Sequence, residues 1–177
     1  MGYAQVVGDL ALALSKAGVP HAFVGALAAG CHGLPRSTMN VDVIVAVKPD
    51  EMKRLTELVL AAGFKKVRSV RQPIGEDKLV VESKEGYRVD ISQAKAEHDV
   101  EAVKRGEKIG IFDVDVWVVA PENLVLQKLV IGRPKDIKDA IAVLMRQRGK
   151  LDKEYLNSWA SKLKVSGELK ELMGKVK

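Results

Sequence analysis

Two polar residues open an otherwise apolar stretch, Asn40-Val-Asp42-Val-Ile-Val45, and they lie two positions apart. Side chains on a strand alternate, so Asn40 and Asp42 would share a face while Val41 and Val43 occupy the other. Asp90 closes a second alternating stretch, Tyr87-Arg-Val-Asp-Ile91, and would converge on Asp42 if the two strands pair. Carboxylates brought that close repel unless a cation lies between them. Hard oxygen donors of this kind select Mg²⁺ or Mn²⁺, ions that also bind phosphates. Gly25 precedes a short helical stretch whose N–H groups could face an anion, and a glycine there lets a phosphate approach the backbone. The chemistry suggested is that of a metal-assisted phosphate site.

Elements that would position these residues follow from periodicity. Apolar positions at helical spacing predict a helix across the first 18 residues rather than a signal peptide. A short strand over 21–24, a helix beginning at Ala26 and ending near 30–33, and a strand over 41–47 come next. Pro49-Asp50 opens an amphipathic helix that Gly63 stops. Strands are expected over 64–70, 78–82 and 87–91, with Glu85-Gly86 as the turn of a hairpin. A short helix over 97–105 precedes strands at 108–112 and 114–119, with Asp113 at their turn. Pro121-Glu122 and Pro134 to Asp136 each start a helix, and terminal helices are read at 151–163 and 168–173. This order predicts an α/β (α+β) fold: a mixed sheet flanked by helices, with helices at the C-terminal end.

The chain has 177 residues, enough to bury a core without disulfides. Its single cysteine, Cys31, excludes an internal disulfide and fits a reducing, cytoplasmic setting. No apolar run is long enough to cross a membrane. Residues 1–132 carry 17 basic and 17 acidic side chains, whereas 133–177 carry 12 and 6, which accounts for the net charge of +6. We therefore expect a core over 1–132 and a basic helical part over 133–177 packed on it. Such a part can meet a phosphate backbone, although Lys-rich solvated helices show the same bias. Aromatics are 5% and no nucleic-acid reading module is visible, so recognition by stacking is not expected.

The segment FVGALAAGCHGLPRSTMNVDVIV resembles the opening motif of the minimal nucleotidyltransferase superfamily, with Gly25, Gly33, Arg36, Thr38 and Asp42 in matching order. Asp90 stands where the superfamily places a third carboxylate. PENLVLQKLVIGRPKDIKDAIAVL is similar to the later part of the AbiEii-like, toxin-type branch, with Lys128, Arg133, Lys135, Asp136 and Asp139 in its places. The resemblance, over about residues 20–145, implies transfer of a nucleoside monophosphate from a nucleoside triphosphate to an acceptor hydroxyl. It implies Mg²⁺ or Mn²⁺ held by Asn40, Asp42 and Asp90, with Asp42, Asp90 and Lys128 as the catalytic set. Gly25, Ala26, Arg36, Thr38 and Lys128 would contact the nucleotide, and the acceptor, which the sequence does not identify, would be a protein, a small molecule or an RNA such as a tRNA end. Two positions depart from the pattern. Asn40 replaces the first aspartate of Asp-x-Asp, and Ala26 replaces the usual Gly or Ser. The amide can coordinate but brings no charge, so weakened activity is expected, and the alternative is a nucleotide- or partner-binding protein that keeps the fold. Asp136 and Asp139 also suit a helix start for dipole reasons alone. Lys128 on a mostly apolar helix could equally run along the surface.

Overall fold

Apolar residues at 6, 7, 10, 11 and 14 form one buried stripe along helix α1 (Tyr3–Lys16), which packs against a mixed sheet. The structure, a computed structural model, describes residues 2–71, 77–111 and 113–176. Phe112, the expected end of one strand, lies outside them. The chain forms two compact units. One comprises the chain up to Gly25 together with Ser37–Val119, and the other comprises Ala26–Arg36 together with the chain from Ala120 on. The boundary near 132 suggested by charge therefore falls inside the second unit. No described helix is long and apolar enough to cross a membrane.

The first unit is built on β1 (His21–Phe23), β2 (Asn40–Val45), β3 (Lys65–Arg71), β4 (Asp77–Glu82), β5 (Arg88–Gln93), β6 (Glu107–Ile111) and β7 (Val114–Val118). Their order across the sheet is β3-β4-β5-β2-β1-β7-β6. Pairing is parallel between β2 and β5 and between β1 and β7, and antiparallel elsewhere. Strand β2 is central, and its residues Val41, Val43, Ile44 and Val45 are all buried, as expected where both faces are covered. Edge strand β6 is mostly exposed and carries Glu107 and Lys108. The expected hairpin forms: Ser83 donates its N–H to Tyr87 O at 2.9 Å, and Gly86 takes a φ of +83°. Helix α3 (Met52–Ala61), entered through one 3₁₀ turn at Pro49–Glu51, packs against α1, and α4 (Glu97–Lys104) packs against β1 and β2.

The second unit is helical. It contains α2 (Gly25–His32, counted here from Ala26), α5 (Pro121–Ile131), α6 (Pro134–Arg146), α7 (Lys153–Lys162) and α8 (Ser166–Lys175). Helix α5 is buried along most of its length, from Pro121 to Leu126 and at Lys128 and Leu129, and contacts α6, α7 and α8, so it is the core of this unit. Gly132 ends it in a left-handed conformation (φ +68°), the usual glycine stop. Gly33 lets α2 approach α6: a Cβ there would lie 3.0 Å from Ala29 O and 3.1 Å from Val143 N.

Candidate active site

Register fixes what lies beside what. Asp42 pairs with Asp90 across the parallel β2–β5 ladder, and Asn40 pairs with Arg88. Across the antiparallel β4–β5 ladder, Glu82 pairs with Arg88, Val80 with Asp90, and Lys78 with Ser92. Paired residues on neighbouring strands point the same way, so one face carries three rows. These are Glu82–Arg88–Asn40, Val80–Asp90–Asp42 and Lys78–Ser92–Ile44. The convergence of Asp42 and Asp90 expected from alternation is present.

Asp42 also meets the turn after β1. Val24 donates its N–H to Asp42 O at 2.9 Å, and Gly25 follows with φ +65°. A Cβ on Gly25 would stand 2.5 Å from Asp42 Oδ2 and 3.1 Å from its Cγ. Only glycine combines that backbone angle with that closeness, so the carboxylate rests directly on the turn.

Asp90 is held by cations. Arg88 Nε and Nη2 donate to its two oxygens at 2.7 and 3.1 Å, and Lys78 Nζ lies 2.8 Å from Oδ2. Burial opposes the negative charge on Asp90, but the Arg88 and Lys78 bonds outweigh it and hold the carboxyl below the usual carboxylate range. The Asp90 bond, with a smaller contribution from Asp42, pushes the Arg88 guanidinium further up, so Arg88 stays charged on the face that carries both acids.

Other expected residues have supporting places. Thr38 Oγ1 accepts from Asn40 N and donates to Asn40 O, both at 3.1 Å, bracing the start of β2, and Asn40 is exposed. Arg36, Ala26 and Lys128 belong to the second unit. Arg36 Nε and Nη2 reach the two Asp139 oxygens at 3.2 and 3.3 Å. Lys128 is buried, with Nζ 2.9 Å from Asp136 Oδ1 and 2.8 Å from Asp139 Oδ2, so its stem does not run along the surface. Asp136 also receives Arg133 Nε at 2.6 Å. Burial opposes the Asp136 charge, and Arg133 and Lys128 together still hold its carboxyl below the usual range. Asp136 and Asp139 therefore serve a charge network as well as the start of α6.

The sequence reading did not single out Arg88 or Lys78. Arg88 lies two residues before Asp90 and so shares its face, a signal available from alternation alone. Lys78 reaches Asp90 only through the β4–β5 register. Their presence bears on metal binding. Asp42 and Asp90 bring two negative charges, and Arg88 and Lys78 cancel them. Both Asp90 oxygens are engaged, and among the described residues no three His, Cys, Asp or Glu side chains are grouped to hold an ion. Asp42 and the Asn40 amide oxygen are the hard oxygen donors that would hold one divalent ion, together with phosphate oxygens. This donor set does not fit a pair of ions sharing Asp90.

No protein-family model matches the sequence, and no curated protein matches it. Solved structures do. Crystalline ANT(2'')-Ia in complex with adenylyl-2''-tobramycin superposes with a TM-score of 0.64 at 13% identity, over 91% of this chain and 96% of that one. An antigenic nucleotidyltransferase-like protein from Paracoccidioides brasiliensis gives 0.56 at 17% identity, over 97% and 91%. The lincosamide antibiotic adenylyltransferase LnuA, lincomycin-bound, gives 0.54 at 12% identity, over 81% and 98%. This chain has the nucleotidyltransferase fold. The expected mixed sheet with flanking helices is the one observed.

Proposed function

We propose that this protein binds a nucleoside triphosphate against the Gly25 turn and transfers its nucleoside monophosphate to an acceptor hydroxyl. The observation that supports this reading most is the placement of Asp42: in register with Asp90 and seated on Gly25. In the reaction the acceptor hydroxyl gives up its proton to solvent as its oxygen bonds to the α-phosphorus, the bond from that phosphorus to the α,β-bridging oxygen breaks, and pyrophosphate leaves. A divalent ion, Mg²⁺ or Mn²⁺, held by Asp42 and Asn40 would neutralise the triphosphate and acidify the attacking hydroxyl. Gly25 leaves the turn bare, so phosphate oxygens can reach backbone N–H groups. Asp90 anchors Arg88 and Lys78 on the same face. With one carboxylate to hold an ion, the rate is expected to be low.

For the acceptor, the basic residues after 133 favour a polyanion such as RNA. A small-molecule hydroxyl is the other outcome, in line with the antibiotics named in the ANT(2'')-Ia and LnuA structures. The test incubates the protein with each α-labelled nucleoside triphosphate, Mg²⁺ or Mn²⁺, and bulk tRNA or a panel of hydroxylated small molecules. Label transfer that disappears in Asp42→Ala supports the reading. Nucleotide binding with no transfer to any acceptor favours the second reading, a binding protein of this fold, for which the neutral Asn40 and the cation-bound Asp90 speak.

A further inference from the structure

Arg88 and Lys78 have no role in the superfamily motif described above, yet both bond to Asp90 of the acid pair. The Asp90 side chain is 8% exposed beneath them, whereas the Arg88 and Lys78 side chains are 42% and 29% exposed. The acid is thus covered and the cations face outward. Arg88 uses Nε and Nη2 on Asp90, and a guanidinium has five N–H donors, so donors remain for an incoming anion. Opposite Arg88 on β2 stands Asn40, a neutral amide, and not a carboxylate that would take up the guanidinium charge. On β4 its partner in register is the exposed Glu82.

We propose that Arg88 and Lys78 are phosphate-binding residues, protein-borne cations that take the part of a second metal ion on the Asp42–Asp90 face. The proposal rests on the nucleotide reading above and adds to it. A planar guanidinium binds phosphate through two parallel hydrogen bonds, and an ammonium binds it as a point charge. Asp90 in this picture is a positioning residue: it holds both cations at the rim while the face is empty and orients them toward a polyphosphate. The triphosphate then needs at most one divalent ion, and part of its affinity needs none.

The test is calorimetric titration of inorganic tripolyphosphate into the full chain, in excess chelator and again in Mg²⁺. Measurable affinity in chelator is expected, weakened about tenfold or more in Arg88→Gln and less in Arg88→Lys, as losing a charged hydrogen bond implies. Arg88→Gln leaves Asp90 with one cation. If its melting curve shows unfolding, the double variant Arg88→Gln/Asp90→Asn removes the surplus charge, and the same loss of affinity is expected there. Binding that appears only with Mg²⁺ and is unchanged in these variants overturns this proposal and leaves the nucleotide reading standing. No affinity for tripolyphosphate or any nucleoside triphosphate in either buffer overturns both.

Discussion

Replacing Gly25 by alanine tests the geometry of the site in two ways at once. The backbone there has φ +65°, and the left-handed region costs an L-residue about 1–2 kcal/mol. The new Cβ would also stand 2.5 Å from Asp42 Oδ2, closer than carbon and oxygen tolerate, so the carboxylate must turn away from its rotamer. That displacement adds about 0.5–1.5 kcal/mol. Gly25→Ala is therefore expected to lower stability by about 2–3 kcal/mol in urea unfolding, and to move the melting point by about 2–4 °C per kcal/mol for a chain of this size. In an Asp42→Ala background the Oδ2 contact is gone and only the backbone strain and a milder 3.2 Å contact at the Asp42 Cβ remain. The same substitution should then cost about 1–2 kcal/mol, a coupling of about 1 kcal/mol between the two positions. Transfer activity should fall about a hundredfold in Gly25→Ala alone, because an ångström of misplacement at a reacting centre has that effect. Equal stability costs in both backgrounds, or full activity in Gly25→Ala, would refute the claim that Asp42 rests on this turn.

Other outcomes follow from the same structure. Lys128→Met leaves Asp136 and Asp139 buried without their shared cation and should cost about 3–5 kcal/mol in urea unfolding, more than Arg36→Met, whose side chain is 37% exposed against 5% for Lys128. Burial pushes His21 below its ordinary 6.5, despite its bond to Val19 O, and burial does the same for His98. The unfolded chain thus binds these protons more readily. Stability should be level above pH 6.5 and decline as pH falls below it, and a profile that rises on acidification would contradict the assignment. Asn40→Asp adds a carboxylate beside Asp42 and should tighten Mn²⁺ binding by about tenfold in calorimetry, even with Arg88 opposite; unchanged affinity would argue against an ion at Asp42.

Much of the fold was legible because local signals agreed. Alternation at 40–45 and 87–91 marks two strands, and a central apolar strand that begins with polar residues on one face points to a site at its edge. Glycine and proline punctuation located most turns, Gly132 and the Glu85-Gly86 hairpin among them. What stayed hidden depends on long-range register and packing. The Lys78–Asp90 contact exists only because β4 pairs with β5 at one offset. The Lys128–Asp136–Asp139 cluster needs α5 and α6 to pack, which no periodicity of either helix states. The division into units follows contacts and not charge: residues 26–36 join the C-terminal helices because Gly33 admits α6 and Arg36 binds Asp139.

The central claim is that the Asp42–Asp90 face beside Gly25 receives the triphosphate. Titration of a non-hydrolysable nucleoside triphosphate with Mg²⁺ into the wild-type chain and into folded Asp42→Ala measures this most directly. The account predicts saturable binding to the wild type and at least a tenfold loss in Asp42→Ala, the scale of one charged contact. Equal affinity in the two proteins would contradict it.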